Sequence, residues 1–192
     1  MAIKEFDTFR REVVRQIKQE STCVYQKDNE IARYISNGVW ALDLSVLRLA
    51  PVEIDYLVTE AKSVAVAKKG EVDIARVMEP TRTNNTTKAE DVGLRIHRGE
   101  QVLIPLLPED GGRIVFLDEA RVQVFVKAAA MKRETVSFKV RTLDEDTGER
   151  TVSPVLVCTS AEDLGVIMPI RLDKLDRRIR HTAKLLGEQL PV

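Results

Sequence analysis

No apolar run in this chain approaches the roughly 18 consecutive residues that a membrane-spanning helix needs, so no helical span is expected and no membrane partner. The two cysteines, Cys23 and Cys158, are too few for a disulfide framework and form no CxxC pair. Both lie in strand-like runs and read as reduced core thiols. The two histidines, His97 and His181, have no metal-ligand companions near them, so no metal and no cofactor is expected. There is no Gly-rich phosphate loop and no Ser/His/Asp or Cys/His arrangement. A catalytic residue is therefore not assigned, and a non-enzymatic protein is expected. An excess of charge is missing too: Lys and Arg number 30, Asp and Glu number 30. That balance lacks the basic signature of many nucleic-acid binders, but allows basic faces offset by acidic ones. The start, MAIKEFDTFRR, has mixed charges and no apolar signal core, which predicts a cytoplasmic protein. No repeat recurs at a solenoid period.

What is present is enough apolar residue, 44%, for a packed core. Phe6, Phe9, Val13 and Ile17 fall on one side of a predicted helix over 3–19, with Arg11, Arg15 and Lys18 opposite. Short strands are predicted at 22–26, 30–35 and 39–42, with Ser36-Asn37-Gly38 as a turn. Trp40, the single tryptophan, reads as core. Pro51 suits the first turn of a helix over 51–62 that buries Ile54, Leu57, Val58 and Ala61. Val64–Ala67 reads as a short strand, Lys68-Lys69-Gly70 as a turn, and Val72–Met78 as helix or strand. Residues 80–89, PTRTNNTTKA, read as the clearest loop in the chain. Strands are expected at 92–96, 102–107 and 114–117, with Pro105 implying an edge or a bulge. Residues 119–133 fit either one helix or a strand passing into a helix, and carry Lys127, Lys132 and Arg133. Val136, Phe138 and Val140 alternate as a half-buried strand, and 143–149 reads as a hairpin turn, not as a calcium loop. A last helix is expected over 173–187.

The most distinctive stretch is SPVLVCTSAEDLGVIMPIRL, residues 153–172. Two apolar runs, Val155–Cys158 and Val166–Ile170, flank a polar turn and predict a buried hairpin. SPVLV followed by GVIMPIRL resembles the last hairpin of bacterial sliding DNA clamps. The strand and helix order over 113–172 is similar to one half of a clamp domain, so the resemblance covers about a third of the chain. ISNGVWALDL is loosely similar to a second clamp segment, but with Asn37 for its Asp and Ala41 for its Arg.

The resemblance implies an α+β fold with an antiparallel sheet and helices on one face. One clamp-like domain would span 1–172, with 51–90 as a candidate insertion, followed by a helical tail over 173–192. It further implies non-specific contact with double-stranded DNA through Arg11, Arg15, Lys18, Lys127, Lys132 and Arg133. A pocket for short peptides of replication proteins would be lined by Pro154, Val166, Met168, Pro169, Ile170, Arg171 and Leu172. The function so implied is in replication or in phage or mobile-element biology. A ring from so short a chain needs more subunits than the family's usual dimer, hence a homo-oligomer is expected. The family ends at Arg-Leu, whereas this chain continues for twenty residues and closes on Gln189-Leu190-Pro191-Val192. That ending is similar to a clamp-binding peptide and suggests a self-covering tail. The competing reading is a structural or adaptor protein that uses the same fold without DNA.

Overall fold

Helix α1 (Ile3–Glu20) forms because Phe6, Phe9, Val13 and Ile17 recur every three or four residues and drop together into the core. The structure, a computed structural model, describes residues 3–65, 73–83, 85–111, 114–142, 153–170 and 181. Strands β1 (Val24–Asp28), β2 (Ile31–Ser36) and β3 (Trp40–Asp43) follow α1 as an antiparallel meander. The β1–β2 turn takes positive φ at both Asn29 (49°) and Glu30 (72°), which matches the twist of the strands it joins. The expected Ser36-Asn37-Gly38 turn is present, with Gly38 at φ 89°. Asn37 is buried and fully employed there. Its Oδ1 accepts from the Val39 and Trp40 amides at 3.1 Å each, and its Nδ2 donates to the Gln16 carbonyl at 3.4 Å. One amide side chain thus ties α1 to the sheet.

A 3-10 turn, Leu44–Leu47, is capped by Asp43, whose carboxylate accepts from the Ser45 amide at 3.1 Å. Helix α2 (Pro51–Ser63) starts on its proline and buries Ile54, Leu57, Val58 and Ala61, as the periodicity predicts. Glu53 accepts from the Ala50 amide at 2.7 Å and closes the first turn. Val64 and Ala65 form a turn, not the start of a strand.

The loop expected over 80–89 is not one. Helix α3 (Ile74–Thr83) runs through its first residues, and β4 (Thr86–Asp91) takes its last. Tertiary contacts override the polar composition here. Ile74 and Met78 anchor α3 on the sheet, and the threonines of β4 are recruited by a partner strand, β8 (Ser137–Arg141).

Strands β5 (Ile96–Arg98), β6 (Gln101–Pro108) and β7 (Val115–Asp118) precede helix α4 (Glu119–Met131), which settles the ambiguous stretch as one helix. Asp118 starts it by accepting from the Ala120 amide at 3.0 Å. Pro105 does not mark an edge, because β6 pairs with β4 and β5 and also with β7. The N–H and C=O of one strand residue point to the same side. The Pro105 carbonyl accepts from Val92 at 3.4 Å, so its missing N–H falls where β4 and β5 are interrupted. The final hairpin is β9 (Val155–Cys158) and β10 (Asp163–Ile167). Its second strand starts earlier than the apolar run suggests and ends at Ile167, so Met168–Ile170 lies beyond β10.

All pairings are antiparallel, and the strands form one ten-stranded sheet. The order is β1-β2-β3-β10-β9-β8-β4-β6-β5, with β7 also on β6. Ile170 donates to the Phe116 carbonyl at 2.8 Å, although β10 and β7 are separated by several strands. A flat sheet would hold them about 24 Å apart, so the sheet curls. The main core lies in the concave side, where α1, α2 and α4 meet inward residues of β2, β3, β6, β8, β9 and β10. α3 differs from the expectation of helices on one face. It packs on the opposite face, over Tyr34, Ala41, Leu156, Cys158 and Val166. A third cluster, Leu103, Ile114 and Phe116, also lies on that outer face and takes Ile170. The 68–70 turn, the 143–149 turn and the 173–187 helix apart from His181 lie outside the described residues, as does the terminal Gln189–Val192 motif.

Candidate nucleic-acid interface

Burying four apolar residues of α1 forces the other side of that helix outward, and this is why Arg11, Arg15 and Lys18 are exposed. They recur at four- and three-residue spacing, so Arg11 and Lys18 stand about 10 Å apart along the axis. α1 packs directly against α4. Gln16, itself buried, donates to the Ala120 carbonyl at 2.6 Å, and Arg121 meets Glu20 at 3.4 Å. α4 is the more deeply seated helix, with Val122, Val124, Phe125, Ala128 and Ala129 buried. Its remaining outward residues include Gln123 and the half-exposed Lys127.

The six cations picked from the sequence have unequal freedom. Arg15 donates to Glu12 at 2.5 and 3.1 Å, and that hydrogen bond raises its pKa above the ordinary arginine value. Lys132 donates to Glu162 and lies 4.0 Å from Glu134, with its side chain 11% exposed. Its charge locks the end of α4 to the β9–β10 turn. Arg133 is exposed and ends α4 in the left-handed region at φ 60°. The Arg133 and Glu134 amides donate back to Ala130 and Ala129 at 3.0 Å each, so the helix closes with a Schellman motif that usually uses glycine. Arg11, Lys18, Lys127 and Arg133 make no ion pair among the described residues.

The expected peptide-pocket residues do not converge. Val166 is buried under α3, while Ile170 packs against Phe116 in the third cluster. Met168 is 39% exposed and its amide donates to the Val39 carbonyl at 2.8 Å. Pro154 and Pro169 are half-exposed, and Arg171 and Leu172 lie outside the described residues. An open, mostly apolar cleft of about 410 Å³ lies elsewhere, lined by Asp28, Ile31, Ala32, Arg33, Ser45 and Ile54. The sequence reading missed it because the cleft joins the β1–β2 hairpin tip to α2, which only the packing brings together. Its one local signal is Ile31, an apolar residue left 40% exposed beside a turn.

Cys158 is buried and its thiol donates to Asp163 at 3.2 Å, as a core thiol would. Cys23 is only half-buried, yet desolvation pushes its thiol up to about 11. It therefore stays protonated at neutral pH, and thiolate is the reactive form. Iodoacetamide at pH 7.5 is expected to label Cys23 far more slowly in the folded chain than in denaturant; equal rates would contradict this burial.

No group of three or more metal-capable side chains occurs among the described residues, and no described helix is long and apolar enough to cross a membrane. The fold and this face together define an α+β protein in which α1, α2 and α4 lie in the concave side of one antiparallel sheet. No family model, curated protein or solved structure matches the chain.

Proposed function

We propose that this protein is a small clamp-like factor that contacts double-stranded DNA non-specifically through the α1–α4 face and self-associates to do so. The observation that carries the reading is the side-by-side placement of α1 and α4, with Arg11, Arg15, Lys18 and Lys127 directed away from the core. Cations on a helical face, with no base-reading element, suit phosphate contact that is independent of sequence. The similarity of residues 153–172 to the clamp hairpin supports the same reading. Peptide binding belongs to the same reading and rests on the exposed Met168, whose flexible thioether can repack around varied ligands.

Binding of a fluorescent duplex, followed by anisotropy, tests it. With about four phosphates neutralised, affinity should fall about 10²-fold between 50 and 200 mM salt. The triple variant Arg11→Glu, Lys18→Glu, Lys127→Glu should abolish binding, while Lys132→Met should leave it unchanged and lower the Tm. Absence of binding at low salt, or indifference to the triple charge reversal, would sink the proposal. The adaptor reading then gains. It is favoured by the zero formal net charge and by the capture of Arg15 and Lys132 in internal ion pairs.

A further inference from the structure

β4 and β8 pair with Lys88 directly opposite Lys139 and with Thr86 opposite Arg141. The pairs on either side of Lys88 and Lys139 are Thr87 with Val140 and Ala89 with Phe138, and Val140, Ala89 and Phe138 belong to the main core. Side chains alternate along a strand, so the cations leave the sheet on its outer face, away from α1 and α4. On that face the strip is bounded by apolar clusters. Leu156 of β9 stands opposite Lys139 and is already under α3, and Leu107 of β6 stands opposite Glu90 beside the third cluster. Lys88 and Arg141 are exposed and Lys139 is half-exposed. No hydrogen bond or ion pair engages the three side chains among the described residues. Like charges set directly opposite each other across a strand pair are destabilising. An anion placed between them converts that repulsion into attraction.

We propose that this strip is a docking surface for a short acidic segment of a partner protein, bound in extended form. Same-face residues recur about every 6.8 Å along an antiparallel strand, which is also the repeat of alternate side chains in an extended peptide. Arg141 can hold a carboxylate through two parallel N–H donors, and the lysines supply point charges beside it. Single-stranded nucleic acid fits less well. The outward residues of the two strands are Ser137, Lys139, Arg141, Thr86, Lys88 and Glu90, and none offers an aromatic face for a base. Glu90 also closes one end of the strip, which limits the anionic stretch to a few carboxylates and disfavours a long run of phosphates. This surface is separate from the α1–α4 face and does not depend on DNA being bound there.

The test uses the full chain, a fluorescent peptide in which Glu alternates with Ser, its Gln-for-Glu analogue, and a short single-stranded oligonucleotide. The acidic peptide should bind at low salt, and the Gln analogue should bind about tenfold more weakly or not at all. Lys88→Glu and Lys139→Glu should each weaken the acidic peptide by about tenfold. Lys88→Glu should also raise the Tm, because a carboxylate then faces Lys139. Failure to bind the acidic peptide, equal binding by the variants, or tighter binding of the oligonucleotide overturns the proposal. A fall in Tm for Lys88→Glu overturns it as well, since Lys88 would then already have an anionic partner within the chain.

Discussion

Gly165→Ala is expected to lower stability by about 3 kcal/mol, the upper end of the usual overpacking range. For a chain of this size that is a drop in Tm of about 6–12 °C, readable by calorimetry or thermal circular dichroism. A Cβ built at Gly165 would lie 2.1 Å from the Ala41 carbonyl oxygen, 2.7 Å from Phe125 Cε1 and 3.0 Å from Leu42 Cα. The glycine sits where β10 shifts register against β9 and where the Phe125 ring of α4 is pressed onto the strand. Two of the three clashes are with the backbone of β3, which is held by β2 on its other side. Shortening the ring therefore cannot relieve them, and Phe125→Leu is expected not to rescue Gly165→Ala. A rescue, or a Tm within about 2 °C of the parent, corresponding to less than about 1 kcal/mol, would show that β3 and β10 can separate and that α4 is not firmly seated on β10.

Trp40→Ala should cost about 4 kcal/mol, and so about 8–16 °C in Tm. The side chain is 1% exposed and meets Phe125 edge to face, with ring centroids 6.4 Å apart. It joins the start of β3 to the middle of α4, and its removal leaves a cavity that neither rigid element can fill. Trp40→Phe is expected to behave differently, at about 1 kcal/mol. The indole Nε1 is buried with no hydrogen-bond partner among the described residues. Phenylalanine removes that unpaired donor, and the gain offsets part of the lost volume. If Trp40→Phe proved as costly as Trp40→Ala, the indole N–H would have to be bonded in the folded protein.

These variants act on the junction that positions the α1–α4 face, but they do not touch its cations. The charge reversals on α1 and α4 do the opposite. Comparing the two sets separates loss of fold from loss of a contact surface, because only the second should leave the Tm near the parent value.

Much of the first half was legible because its signals are local. The apolar stripe Phe6, Phe9, Val13 and Ile17 can satisfy only a helix, Asn37-Gly38 suits a tight turn, and Pro51 can open a helix but not sit within one. Where reading failed, a distant partner decided. The threonines at 86 and 87 look like loop residues until β8 pairs with them. Pro105 looks like an edge residue until the β4–β5 interruption accommodates its missing N–H. Val122, Val124 and Val126 alternate like a strand, yet the Asp118 cap and the alanines that follow make a helix.

The candidate interface divides in the same way. Periodicity sufficed to place Arg11, Arg15 and Lys18 on the outward side of α1, because burying the apolar stripe leaves them no other side. The fate of Lys132 was not legible, since Glu162 lies thirty residues away in sequence and reaches it only through the β9–β10 turn. The same holds for Val166 and Ile170. They are neighbours in one apolar run, but β10 ends between them, and each enters a different cluster. The sequence alone determined helices α1 and α2, the Ser36–Gly38 turn, the final hairpin and which side of α1 is charged, because those follow from bonds and spacings within a few residues. Only the tertiary structure decided the curl of the sheet, the pairing of α1 with α4, the crossing of α3 to the outer face and the opposition of Lys88 to Lys139. Each of these depends on register between strands distant in sequence, and register is set by the summed packing of both faces of the sheet.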